Sequence, residues 1–142
     1  MNRQTVSFDF GKIETAFEYA NFGGGVNEAF LDRQSSQLLY FSSLGDSDPE
    51  PEDFDDESRY IQLPDKRDLG LGAELVQQFV STTAPELSDA VRDAFRRRGA
   101  FRRFKALLES NGMLEAWYQF EADAEKAALV NWCHENDIQL ST

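Results

Sequence analysis

Residues 45–58 read GDSDPEPEDFDDES, eight carboxylates and two prolines in fourteen positions. Like charges at this density repel along any compact backbone, and proline fixes φ and withholds an amide hydrogen. Neither a helix nor a ladder strand runs through such a stretch, so it is expected to be a mobile loop. Strand-like runs lie on both sides of it, and from residue 69 onward the patterning is helical.

In the first part, FGKIETAFEYAN spaces Ile13, Ala16, Phe17 and Ala20 as one face of a helix over about 10–20. Asp9 stands where it can cap this helix, Phe8 can staple onto Ile13, and Asn21 with Gly23, Gly24 and Gly25 can close it. A strand competes at the same place, because Val6, Phe8 and Phe10 alternate with Ser7 and Asp9. Next, VNEAFLDRQSSQLLYFSS reads as a hairpin: two runs rich in Phe, Leu, Tyr and Val flank the polar turn RQSSQ. A lone hairpin is barely stable in water, so a third strand or helices must cover it, and RYIQL at 59–63 is the candidate strand.

Beyond the acidic stretch, helices are expected at about 70–82, 85–98, 100–110 and 113–135, punctuated by Pro85, Gly99 and SNG at 110–112. The apolar phase continues through Gly99, so residues 86–110 are either two helices or one helix that carries a glycine cost of about 1 kcal/mol. The fold class expected is α+β: an N-terminal helix, a small antiparallel sheet of two or three strands, and a helical C-terminal half packed on it.

A length of 142 residues predicts a single domain, 1–142. Twelve Phe and 41% hydrophobic residues are too many for a disordered chain. There is no run of the roughly 20 apolar residues that a membrane helix needs, and MNRQTVSFDF lacks the apolar core of a signal peptide. Cys133, the single cysteine, has no internal disulfide partner, which suits a reducing compartment. A soluble cytoplasmic protein is expected, with no membrane association.

Four stretches, FLDRQSSQLLYF, YIQLPDKRDLGLG, RRRGAFRRFKALLE and AWYQFEADAEKAALVNWCHENDI, resemble a family of small bacterial proteins known as uncharacterised protein family 0158. The similarity covers most of residues 26–138, and RGAFRRFK followed by WYQFE is its most specific part. The resemblance implies a bacterial source and a single domain, and it brings no activity or site residues with it.

The net charge is -12, yet residues 90–109 hold seven of the fourteen Lys and Arg. Within 86–98, Leu87, Ala90, Val91, Ala94 and Phe95 form an apolar stripe, with Arg92 and Arg96 nearly opposite it. Asp89 can meet Arg92, and Asp93 can meet Arg96 and Arg97, at spacings of three and four. Arg96, Arg97 and Arg98 also fill a last helical turn, where the dipole favours cations. In the next segment Phe101, Phe104 and Leu108 share a face, while Arg102 and Arg103 point to solvent. Solvated helix faces account for such a cluster. So does a patch of Arg92, Arg96, Arg97, Arg102 and Arg103 that grips a phosphate backbone or an acidic protein surface.

In the last helix Met113, Leu114, Trp117, Phe120, Ala124, Ala127, Ala128 and Trp132 form one stripe. Glu121 projects into it and is expected to pair with Arg98 or Arg103, because an unpaired carboxylate there is costly. Asp65, Lys66 and Arg67 lie in a loop before a helix that Asp68 is placed to cap, and a binding or enzyme site would start at this loop.

Other chemistry finds little support. Adjacent Cys133 and His134 diverge on a helix, residues 46–57 put Pro51 where a calcium loop needs glycine, and the glycines at 23–25 lack the Gly-Lys-Ser/Thr of a phosphate loop. No catalytic residue, metal or cofactor is expected. The favoured reading is a non-catalytic protein-interaction module whose partner is a protein. The alternatives are a nucleic-acid-associated protein using the arginines and an enzyme with a site near residues 65–68.

Overall fold

The structure, a computed structural model, describes residues 7–141. The fold is α+β and parts into two compact units, one formed by the chain up to Leu69 together with Ala128 onward, the other by Gly70–Ala127.

The first unit opens on β1 (Ser7–Asp9), which runs straight into α1 (Phe10–Ala20). The two readings of this stretch are thus both realised, one after the other; Val6 lies outside the described residues. Ile13, Ala16 and Phe17 are fully buried, the face that the spacing marked, and Phe8 is buried with them. Asp9 occupies the capping position, but its side chain makes no capping hydrogen bond. Asn21 does close the helix: its amide and its side-chain Nδ2 both donate to the Phe17 carbonyl, at 3.1 and 2.8 Å.

The hairpin is β2 (Asn27–Asp32) and β3 (Leu38–Ser42), and β4 (Tyr60–Gln62) joins on the other side of β2, giving an antiparallel sheet in the order β3-β2-β4. The register sets Leu31 opposite Leu38 and Ile61, and Ala29 opposite Tyr40. Asp32 is buried at the end of β2, where its carboxylate takes Nε and Nη2 of Arg59, each at 2.9 Å. A separate parallel pair joins β1 to β5 (Gln139–Ser141), with Phe8 opposite Leu140.

The acidic stretch contains neither helix nor strand. Its one aromatic residue, Phe54, lies against the rings of Phe30, Phe41 and Tyr60 at centroid distances of 4.8, 5.3 and 5.5 Å. Asp53 receives the Tyr60 hydroxyl at 2.8 Å and Nη1 of Arg59 at 3.0 Å.

The second unit holds α2 (Ala73–Thr83), α3 (Ser88–Ala94), α4 (Ala100–Ser110) and the first part of α5 (Leu114–Glu135). Leu75, Val76, Phe79 and Val80 of α2 form its core with Val91, Phe104, Leu108 and Trp117. The Trp117 ring meets Phe104 at 4.9 Å and Phe79 at 5.4 Å, both edge to face, the arrangement that aromatic quadrupoles favour. Gly72, not Asp68, precedes α2, because Asp68 is held back in the short 3-10 turn Lys66–Leu69. The segment that starts at Pro85 is a 3-10 turn followed by α3, which stops at Ala94. Gly99 takes φ 67° and ψ 39°, a left-handed conformation that breaks the helical path, so α3 and α4 are two helices.

Candidate functional site

The arginine corner is built by the way α3 ends. Val91 and Ala94 face the core, with Leu87 and Phe95 half-buried against it, so the remaining positions of α3 turn outward. Past Ala94 the chain tightens: the amides of Arg96 and Arg97 reach back only three residues, to Asp93 and Ala94. Gly99 then redirects the backbone into α4, whose first bond runs from the Arg103 amide to the Gly99 carbonyl at 2.9 Å.

All six arginines of this stretch, Arg92, Arg96, Arg97, Arg98, Arg102 and Arg103, are exposed. Two pair with carboxylates as their spacing predicts, Arg92 with Asp89 at 3.5 Å and Arg97 with Asp93 at 3.4 Å. Both pairs are solvated, which limits each to roughly 0.3–0.5 kcal/mol. Asp93 is taken by Arg97, and the expected pair with Arg96 is absent. Arg103 turns back on the corner, its Nε donating to the Arg98 carbonyl at 2.9 Å. The guanidinium of Arg102 lies beside Gly99, 3.4 Å from where a side chain there would begin. Arg96, Arg98 and Arg102 have no carboxylate within 4 Å among the described residues.

Two aromatic side chains of α4 and α5 are exposed. Phe101 is 42% exposed, although the sequence grouped it with buried Phe104 and Leu108. It stands on the first turn of α4, where its ring meets the half-buried Phe95 edge to face at 5.2 Å. Further along, Lys105 Nζ sits 5.6 Å from the ring centre of Tyr118, which is likewise 42% exposed. Helical spacing marks a face as apolar but not where along that face the core ends, so the exposure of Phe101 is not legible in it, and Tyr118 lies off the stripe that the spacing of the last helix marks.

Glu121 is half-buried and forms no ion pair among the described residues; the expected partner, Arg98 or Arg103, is engaged elsewhere or left to solvent. Asp65, Lys66 and Arg67 belong to the first unit, on an exposed turn. Asp65 accepts the Arg67 amide at 2.8 Å and Nε at 3.2 Å, and the amide bond foremost lowers its pKa. The Lys66 amide donates to Asn21 Oδ1 at 2.9 Å, and Asn21 also reaches the Pro64 carbonyl at 3.2 Å. The turn is thereby fastened to the end of α1.

Cys133 is fully buried, and burial pushes its thiol up to about 11, far from a reactive thiolate. Among the described residues no group of three or more His, Cys, Asp or Glu is arranged to hold a metal ion, and no helix is long and apolar enough to cross a membrane.

The sequence model of Uncharacterised protein family (UPF0158) matches residues 11–142, nearly the whole chain. The chain belongs to that family. No match is found among curated proteins or among solved structures. UPF0158 membership thus covers α1, the three-stranded sheet and the whole arginine corner, and the chemistry of the site rests on the residues themselves.

Proposed function

We propose that this chain is a non-catalytic interaction module that docks an acidic protein surface at the corner between α3 and α4. The observation that carries the reading is the exposure of Arg96, Arg98 and Arg102, with no carboxylate within 4 Å among the described residues, in the same α3–α4 corner as the exposed Phe101. Guanidinium forks bind carboxylates with two parallel bonds, and aromatic side chains with arginine dominate the energetic centres of protein interfaces. On a chain of net charge -12, such a corner also orients a partner before contact. A cytoplasmic setting belongs to the proposal and agrees with the free, buried Cys133 thiol.

A second reading shares the same residues. Arginines beside an exposed aromatic ring are also what single-stranded nucleic acid uses, phosphate on the cations and a base on the ring.

One titration separates them. The full chain is titrated by fluorescence anisotropy with labelled poly-glutamate and, separately, with a labelled uridine oligonucleotide. The first reading expects poly-glutamate binding that falls about tenfold or more in Arg96→Glu/Arg98→Glu/Arg102→Glu, with Phe101→Ala also weakened. Oligonucleotide binding with a steep salt slope that the triple variant flattens would select the second. Binding of neither polymer overturns both.

A further inference from the structure

Residues 45–58 hold the densest run of carboxylates in the chain, and their backbone is fastened to the first unit at three points. Near the start, Asp48 Oδ2 accepts the Tyr40 amide and the Asp48 amide donates to the Tyr40 carbonyl, both at 2.8 Å, while Ser47 Oγ accepts the Ser42 amide at 2.9 Å. In the middle the Phe54 ring is seated against Phe30, Phe41 and Tyr60. At the end the Asp56 carbonyl accepts the amides of Arg59 and Tyr60, each at 3.0 Å. Between these anchors the acids face solvent: seven of the eight carboxylates are exposed, all but Asp48.

Holding so many like charges side by side is unfavourable, and little in the first unit relieves it. Only Asp53 of these acids has a cation, Arg59, within 4 Å among the described residues. Nor do the acids suit a metal ion, since among the described residues no group of three or more His, Cys, Asp or Glu is arranged to hold one. What relieves spread-out, exposed carboxylates is a set of spread-out, exposed guanidinium forks. The second unit carries such a set at its α3–α4 corner, where Arg96, Arg98 and Arg102 lack the carboxylates that residues 45–58 have in excess. Pro49, exposed between Asp48 and Glu50, adds a ring of the kind that packs on aromatic side chains, and Phe101 is exposed in that corner.

We infer that the acidic surface docked by the arginine corner is residues 45–58 of a second copy of this chain. The inference rests on the docking reading above and names its partner. One patch meets a different patch, so the contact either closes reciprocally about a two-fold axis or continues head to tail. The charge of -12 on each copy opposes the approach. At about 0.15 M salt, however, that repulsion is screened beyond roughly 8 Å, while pairs partly buried at the contact are screened much less. Because the backbone of 45–58 is already fastened, docking orders side chains and little else, which keeps its entropic cost low.

The test mixes two full-length variants in sedimentation velocity at about 0.15 M salt. Arg96→Glu/Arg98→Glu/Arg102→Glu reverses the corner. Glu50→Gln/Glu52→Gln/Asp55→Asn/Glu57→Gln neutralises four exposed acids and leaves Asp48, Asp53 and Asp56, which bond within the chain, in place. Wild type is expected to self-associate, and each variant alone to do so about tenfold or more weakly. An equimolar mixture should form a one-to-one complex, because each variant supplies the patch that the other lacks. The milder Arg96→Gln/Arg98→Gln/Arg102→Gln should behave as the reversed corner does, so that misfolding does not pass for a lost contact. A monomeric wild type, a mixture without the complex, or a variant that associates as wild type does overturns the inference. Poly-glutamate tells the two failures apart: binding kept by the neutralised variant leaves the docking reading standing when the mixture forms no complex, whereas no binding by any form removes both.

Discussion

Arg59 and Asp32 face one another across β4 and β2 with two bonds of 2.9 Å, and the same carboxylate accepts the Gln34 amide at 2.9 Å and the Ser35 hydroxyl at 2.7 Å. One carboxylate thus shapes the hairpin turn and ties the third strand to it, while the Arg33 amide bonds the Arg59 carbonyl at 2.8 Å. Asp32→Ala is expected to cost about 2–3 kcal/mol, the value of a hydrogen-bonded charge whose removal leaves buried groups unpaired. A urea midpoint unchanged from wild type would contradict this.

Acid sensitivity follows from the same contact. Arg59 foremost, against the opposing effect of burial, holds the Asp32 carboxyl well below the usual range. The Tyr60 hydroxyl does so to a lesser extent for Asp53. Both groups are ionised in the folded chain at pH values where the unfolded chain, with aspartate near pKa 3.9, takes up protons. Their contribution is complete above about pH 5 and declines as the pH falls through about 4 toward the lower folded values. The melting temperature should drop along that path, and Asp32→Asn should flatten the slope.

At the alkaline end, burial and then the Asp53 hydrogen bond push the Tyr60 phenol up to about 12. The stability that Tyr60 adds is present below the unfolded value near 10 and is lost as the pH rises through the folded one. Burial also raises the Tyr40 phenol, so absorbance of tyrosinate should show a late phase to which Tyr60 contributes, and Tyr60→Phe should remove its share.

Trp117 is 1% exposed, and its Nε1 hydrogen has no acceptor among the described residues. Trp117→Phe forfeits packing but also removes a buried, unpaired donor that costs about 1–3 kcal/mol, so the two effects largely cancel. A loss under about 1 kcal/mol is expected, whereas Phe104→Ala in the same cluster should lose about 3–5 kcal/mol. Equal losses in chemical denaturation would mean that the indole nitrogen is satisfied.

Gly99 sits at φ 67°, where a Cβ pays roughly 1–2 kcal/mol and meets Arg102 Nη2 at 3.4 Å. Gly99→Ala should lower stability by about that amount and, by straining the turn that carries the arginines, weaken poly-glutamate binding. Gly112 is also left-handed, at φ 68°, but nothing lies near it. Gly112→Ala should therefore pay the backbone cost with no loss of binding.

Features that rest on short-range pattern were legible in the order of residues alone. The spacing of Ile13, Ala16 and Phe17 marked α1, two apolar runs flanking RQSSQ marked the hairpin, and RYIQL marked β4. Asp89 with Arg92 and Asp93 with Arg97 were readable for the same reason, since partners three or four residues apart meet wherever a helix forms. Contacts between distant residues were set by how the folded chain packs. The β1–β5 pair spans more than a hundred positions, Arg59 finds Asp32 across two strands, and Ser47 and Asp48 close the edge of β3 after the chain doubles back. None of these leaves a periodic trace, because each depends on where separate segments come to lie. Phe101 shows the boundary between the two: its helical face was legible from spacing, but its exposure depends on where the core beneath that face ends.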